Sequence, residues 1–238
     1  MRKLTTQINT LFGPMVICDT DIKIGVELKK FGSWDLHDLT RCIKLFEKNC
    51  TNPRGIILDV GSNMGTWSLP LARLYADCNI HAFECQSLLF NCFVQTLGLN
   101  KIENVTPHLC AVSDVDGVIE YPSINYEWGS NFGAFELEPV KNSDFNGVRL
   151  PDQVTKVDSR TIDSFNFENV NLIKIDTEGM EYKVIKGALK TLQRCKSVVL
   201  FENHKTDYAG VLALLGQIGY HEIERFGQMS CAIFKSEI

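Results

Sequence analysis

Six carboxylates, a histidine and two closely spaced glycines stand where strands of this chain would end. The first group is "LDVGSNMG" (58–65), in which Asp59, Gly61, Asn63 and Gly65 close and follow the apolar run "IILDV" (56–60). A strand that runs into glycines and then a helix lets the backbone pass close to a ligand. The spacing lacks the three glycines of a G-x-G-x-x-G dinucleotide signature, and no Lys-Ser or Lys-Thr follows as in a P-loop. Asp59 would repel a pyrophosphate but suits a cationic group, such as the α-ammonium of a bound amino acid. Glu84, after "HAF" (81–83), is placed to hold a ribose diol through bidentate hydrogen bonds. "AVSD" (111–114) brings Ser113 and Asp114 to the end of a third strand, either near an adenine amino group or simply in a turn.

A second set lies further along. "IDTEGMEYKVIKGA" (175–188) carries Asp176 and Glu178 at a strand end, with Gly179 opening a helix and Glu181 one turn on. "FENH" (201–204) adds Glu202 and His204 at the end of the next strand. In an open α/β sheet ligands bind outside the carboxyl ends of the strands, so all these groups should face one crevice.

The elements that must position them alternate. Strands are expected at 56–60, 80–83, 105–112, 171–176, 197–202, 220–226 and 231–235, with helical periodicity at 66–76, 86–98, 180–194 and 207–218. That pattern gives an α/β fold with a mostly parallel sheet and helices on both faces. Only "GQMS" separates the last two strands, too little for a parallel crossover, so they should form a hairpin with one antiparallel strand at the sheet edge. Before this core, residues 15–28 alternate well enough for two short strands. Ser33 is placed to cap a helix carrying Leu36, Leu39, Ile43 and Phe46. The expected organisation is a prelude (1–54) packed on a core (55–238) with an insertion at about 115–157. That insertion holds Tyr121, Tyr126, Trp128, Phe132, Phe135 and Phe145, and reads equally as a lid or as a hairpin with its own aromatic core.

Taken together, "LDVGSNMG", "AFE", "AVSD", "TIDSF", "LIKIDTEGMEYKVIKGA" and "FENH", in this order, resemble the FkbM family of S-adenosylmethionine-dependent methyltransferases. "FGSWD" (31–35) and "NFG" (131–133) resemble shorter elements of that family. The resemblance implies a Rossmann-like class I methyltransferase fold, seven-stranded and mostly parallel with a C-terminal antiparallel hairpin. It implies that Asp59, Gly61, Ser62, Asn63 and Gly65 hold the methionine part of S-adenosylmethionine, that Glu84 holds the ribose, and that Ser113 and Asp114 lie near adenine. The chain departs from the family in having Cys85 and Gln86, rather than a proline, after Glu84.

Methylation of a hydroxyl benefits from a general base, because the hydroxyl's pKa lies far above 7. His204 titrates nearest neutrality and is the first choice for that base. Asp176, Glu178 and Glu202 follow as secondary bases or hydroxyl-orienting acceptors. Alternatively, Glu178 caps the helix after Gly179 and His204 is a turn residue. Asp176, Glu202 and His204 would also suit magnesium or manganese bound to a sugar diol, but methyl transfer does not require a metal and none is expected.

Composition bounds the rest. A net charge of −5 favours neither a nucleic-acid backbone nor an anionic membrane as partner. Nine cysteines without a C-x-x-C pair argue for reduced thiols in a cytoplasmic setting, and no leader or spanning segment is read at the N-terminus. The expected function is O-methylation of a sugar, glycan or small metabolite. A nicotinamide-dependent oxidoreductase on a similar sheet and a non-catalytic S-adenosylmethionine-binding module are the alternatives.

Overall fold

The structure is a computed structural model and describes residues 3–50, 52–138 and 146–235. In chain order the elements are β1 (Thr5–Thr10), β2 (Gly13–Cys18), α1 (Ile24–Phe31), α2 (Leu36–Asn49), β3 (Ile56–Val60), α3 (Ser68–Leu74), β4 (Asn79–Glu84), α4 (Ser87–Asn100), β5 (Val105–Leu109), β6 (Ala111–Val112), β7 (Gly117–Ile124), β8 (Arg149–Arg160), β9 (Val170–Ile175), α5 (Glu181–Lys186), α6 (Leu189–Cys195), β10 (Val198–Glu202), α7 (Tyr208–Gln217), β11 (Tyr220–Phe226) and β12 (Met229–Phe234).

Seven strands form the central sheet in the order β11-β12-β10-β9-β3-β4-β5. β10, β9, β3, β4 and β5 run parallel, and β12 runs antiparallel to both β10 and β11. This is the Rossmann-like methyltransferase sheet that the resemblance implies. One detail corrects the expectation: the antiparallel strand is not the edge. The β11–β12 hairpin folds back so that β12 slots beside β10, and β11 becomes the edge strand, running with the rest. β3 and β9 sit centrally, which is why "IILDV" and "VNLIKI" are almost wholly apolar: both sheet faces are covered. Leu58, Ile173 and Phe201 pack with α5–α7 on one face, and Ile57, Ile80 and Leu200 with α2–α4 on the other. Burying such a side chain contributes roughly 1.5–3 kcal/mol.

Four other expectations shift for local reasons. Of residues 15–28, only the first part is strand. β2 pairs antiparallel with β1, which lies earlier, while Ile24 and Leu28 are buried four apart, a helical spacing, in α1. Gly32, at φ +71, ends α1 with its N–H on the Leu28 carbonyl, a left-handed stop that glycine adopts readily. Helix α2 begins after Asp35, itself at φ +45, so Ser33 lies too early to cap it, and Leu36 faces solvent. The expected strand 105–112 divides at Cys110: β5 stays on the central sheet, while β6 pairs with β8 in a separate sheet of order β6-β8-β7. The expected helix 180–194 breaks into α5 and α6 at Gly187, where an added Cβ would lie 2.1 Å from the Ser113 carbonyl oxygen. A chain end from one layer thus sits directly against the helix of another.

Candidate active site

A cleft of about 1210 Å³, counted with the open solvent at its mouth, lies at the carboxyl ends of β3, β4, β9 and β10. It is where an open α/β sheet leaves room for ligands.

The loop after β3 forms one wall. The Gly61 and Ser62 N–H groups both donate to the Phe83 carbonyl, at 3.0 and 2.9 Å, which ties the turn to β4. Gly61 sits at φ +79, and a Cβ there would lie 1.8 Å from the Asp176 carbonyl oxygen, so only glycine fits. Asn63, also left-handed at φ +51, donates its N–H to Glu84 Oε2 at 2.9 Å, and the Gln86 N–H donates to Glu84 Oε1 at 2.7 Å. Glu84 is therefore buried with its oxygens held by backbone donors, the Cys85 N–H adding to those of Asn63 and Gln86, and with acceptor capacity left over beside the cleft. Burial pushes its carboxyl up to about 7 against the pull of those N–H groups. A carboxylate so held can accept from two vicinal hydroxyls. Gly61 and Asn63 line the cleft, but Ser62 and Gly65 do not. Gly65 is instead needed where a Cβ would strike the Phe93 ring at 2.2 Å.

Asp59 is not where the sequence reading puts it. It is fully buried, accepts from the Ser68 hydroxyl at 2.6 Å, and pairs at 3.1 Å with Lys174 Nζ; Lys174 lines the cleft but Asp59 does not. The reason is Lys174, a lysine inside the apolar strand β9. Its ammonium also donates to the Gly61 carbonyl at 3.1 Å, lies 3.6 Å from Asp176 and sits over the Trp67 ring. Burial alone would push that ammonium's pKa down, but Asp59 and Asp176 together hold it above its ordinary value. The carboxylate at the end of β3 thus secures the loop from beneath rather than greeting a ligand's amine. "LIKID" carried the signal: a buried lysine needs a buried acid.

Ser113 and Asp114 also fall outside the cleft. Ser113 is buried and donates its hydroxyl to Asp114, and Asp114 pairs with Lys186 at 2.8 Å. The departure of β6 from the central sheet turns these residues onto α5, and leaves Cys110, Ala111 and Val112 as the wall instead. That wall is apolar and suited to a flat ring.

The opposite wall gathers the far-strand acids as expected. Asp176, Glu178, Glu202 and His204 all line the same cleft as Gly61, Asn63 and Glu84. One carboxylate oxygen from each of Asp176, Glu178 and Glu202 lies within 4.8 Å of the others. The cluster weighed from sequence had His204 in place of Glu178; the histidine is exposed at the rim. Glu178 stands at φ +54, a strained conformation for a non-glycine residue, which turns its carboxylate inward. The capping alternative belongs to Glu181, which is fully buried and accepts from the Thr177 and Gly179 N–H groups at 2.8 and 3.1 Å. Burial, then the Asp176 charge, raises the pKa of both Glu178 and Glu202, with Lys205 acting against them.

Lys205 was not foreseen. Its ammonium bridges Glu178 at 2.6 Å and Glu136 at 3.2 Å, and Glu136 belongs to the insertion. The insertion has aromatic contacts of its own and also supplies part of the cleft wall. Tyr121 meets Phe135 and Tyr126 meets Phe132 as tilted ring pairs, with centroids 5.0 and 4.8 Å apart, while Asn131, Gly133, Ala134 and Phe135 line the cleft. Gln86, beside Glu84, latches it by donating to the Phe132 carbonyl and accepting from the Tyr126 hydroxyl. Asp21, before α1, accepts from the Phe132 N–H. Trp34 of "FGSWD" reaches the cleft, whereas Trp128 is exposed. Phe145 lies outside the described residues.

Residues 59–225 match the Methyltransferase FkbM domain. "Methyltransferase 1" of Beauveria bassiana is 27% identical over 143 residues, 55% of this chain and 57% of that protein. "2-O-methyltransferase NoeI" of Sinorhizobium fredii is 24% identical over 181 residues, 72% of this chain and 71% of that one. The crystal structure of an FkbM methyltransferase from Methylobacillus flagellatus superposes with a TM-score of 0.51 at 16% identity, covering 77% of this chain and 44% of that one. The chain thus spans little more than half the length of the first of these relatives and less than half of the solved one. With more than half of its residues matched to that domain, the chain belongs to the FkbM methyltransferase family.

Proposed function

We propose that this chain transfers a methyl group from S-adenosylmethionine to a hydroxyl oxygen of a sugar, glycan or small metabolite. The observation that carries the reading is that a single cleft joins two halves. One, built from Gly61, Asn63 and Glu84, suits a nucleoside, and the other, built from Asp176, Glu178, Glu202 and His204, suits a polyhydroxylated acceptor. The residues present fit the cofactor. Glu84 has lone pairs free for the ribose hydroxyls, Phe83, Cys110, Ala111 and Val112 give an apolar face for adenine, and the acidic rim favours a cationic sulfonium. When bound, that cofactor supplies a methyl carbon whose bond to sulfur breaks with the electron pair leaving on sulfur.

The chain's own residues do the remaining work. Asp176, Glu178 and Glu202 orient the acceptor hydroxyls, and His204 at the rim takes the attacking hydroxyl's proton. The insertion, held down by Gln86 and Lys205, excludes water. Transfer to oxygen is also in keeping with the relative named as a 2-O-methyltransferase, at 24% identity. The net charge of −5 supports leaving nucleic acid and membrane out of the acceptor class. Nine free cysteines are in keeping with a reducing, cytoplasmic setting, and among the described residues no helix is long and apolar enough to cross a membrane.

The test is transfer of tritiated methyl from S-adenosylmethionine to a panel of glycans, polyols and cell extract, with the product identified by mass spectrometry. An O-methylated product supports the reading. Binding without transfer to any acceptor points to the non-catalytic module, and binding of NADH in its place to the oxidoreductase.

A further inference from the structure

Glu202 is out of balance with its surroundings. It is only 6% exposed, lines the cleft, and among the described residues its Oε2 has neither solvent nor a hydrogen-bond donor. The nearby Lys205 ammonium is engaged by Glu178 and Glu136, and Lys174 by Asp59, Asp176 and the Gly61 carbonyl. A buried carboxylate oxygen left in this way has no hydrogen-bonded partner among the described residues, and Lys205 acts on it only through its charge. Two more carboxylates converge on it, each from a different backbone position: Asp176 follows β9, Glu178 is turned inward by its left-handed backbone, and Glu202 ends β10. The three oxygens lie within 4.8 Å of one another. Ligand oxygens about 2.0–2.6 Å from one divalent ion are separated by up to about 4–5 Å, so a single ion spans this set.

We propose that Asp176, Glu178 and Glu202 form a binding site for one divalent, oxygen-seeking cation of the magnesium or manganese class. An all-carboxylate set without cysteine or histidine selects such ions over zinc or copper. Three protein ligands leave the other coordination positions open to the cleft. There the ion seats two neighbouring hydroxyls of the acceptor and lowers the pKa of the one that attacks, so that His204 removes its proton more readily. This use of the ion rests on the function proposed above; the binding site itself does not.

The experiment is a titration of the full chain, first stripped with a chelator, with Mn²⁺ alone, read by electron paramagnetic resonance. One Mn²⁺ per chain, displaced by Mg²⁺ and weakened at least about tenfold in both Glu202→Gln and Asp176→Asn, is the expected result. Wild-type protein that binds no Mn²⁺, or unchanged affinity in the two variants, overturns the proposal. Wild-type binding and Mg²⁺ displacement decide the matter even where a variant does not fold. Titrating the stripped wild type with S-adenosylmethionine separates the two proposals. Cofactor binding without Mn²⁺ binding removes the cation site and leaves the proposed function. Mn²⁺ binding without cofactor binding does the reverse.

Discussion

Lys174→Met is the substitution whose cost follows most directly from the structure. The side chain is 2% exposed and Asp59 is 0% exposed, so removing the ammonium leaves a buried carboxylate with the Ser68 hydroxyl as its remaining hydrogen-bond donor among the described residues. Breaking a buried pair from one side costs about 3–5 kcal/mol. For a domain of this size each kcal/mol shifts Tm by about 2–4 °C, so Tm should fall by roughly 6–20 °C. Asp176, with a third of its side chain in solvent, can recover by hydration and adds little. The double variant Asp59→Asn/Lys174→Met removes both charges, and the Ser68 hydroxyl can bond an asparagine as well. It should regain most of the loss. Thermal melts at pH 7 followed by circular dichroism measure both, and a titration with S-adenosylmethionine shows whether the Gly61 loop, which loses the lysine's hydrogen bond, still binds. A Tm within about 2 °C of wild type for the single variant, or a double variant as unstable as the two single losses added, would refute the reasoning.

Gly61→Ala forces a Cβ onto the Asp176 carbonyl at φ +79 and should cost about 3 kcal/mol or more by thermal melting, whereas Gly98→Ala, in open space on α4, should stabilise by about 0.5–1 kcal/mol. His204→Ala should leave cofactor affinity within about twofold and lower kcat by about 10²–10⁴; unchanged turnover removes it as the base. Glu84 binds its proton more tightly in the folded chain, with the pKa raised from 4.5 to about 7, so its contribution to stability is fully present below pH 4.5 and is lost as pH rises through 7. Without ligand, wild type should lose roughly 3 kcal/mol relative to Glu84→Gln across that window, as read from melts at stepped pH. Parallel curves for the two proteins would contradict the assignment.

Much of this was legible because local pattern and global topology agree. The apolar runs at β3, β9 and β10 and the glycines after β3 fix a parallel sheet with a ligand-side turn, and the acids at 176, 178 and 202 fall on one rim because parallel strands end on the same side. What was illegible depended on contacts between distant segments. Asp59 and Glu84 look alike in sequence, each closing a strand beside a turn. Only Lys174, brought alongside by β9, makes one a buried counter-ion and leaves the other beside the cleft. Ser113 and Asp114 were misplaced because nothing local in "VTPHLCAV" says that the chain leaves one sheet at Cys110 for another built from β8, some forty residues on. The insertion's place beside the cleft has the same origin: its aromatic pairs are local, but its hydrogen bonds to the rest of the chain use Gln86, Asp21 and Lys205.

The central claim is that the loop after β3 and the carboxylate at the tip of β4 grip S-adenosylmethionine. Isothermal titration of that compound into wild type and Glu84→Ala, with folding checked by circular dichroism, tests it most directly. Two charge-assisted hydrogen bonds of about 1.5–3 kcal/mol each are at stake, so the variant should bind about 100-fold more weakly or worse, while wild type binds one molecule per chain. No binding by wild type, or one Kd shared by both proteins, would contradict the account.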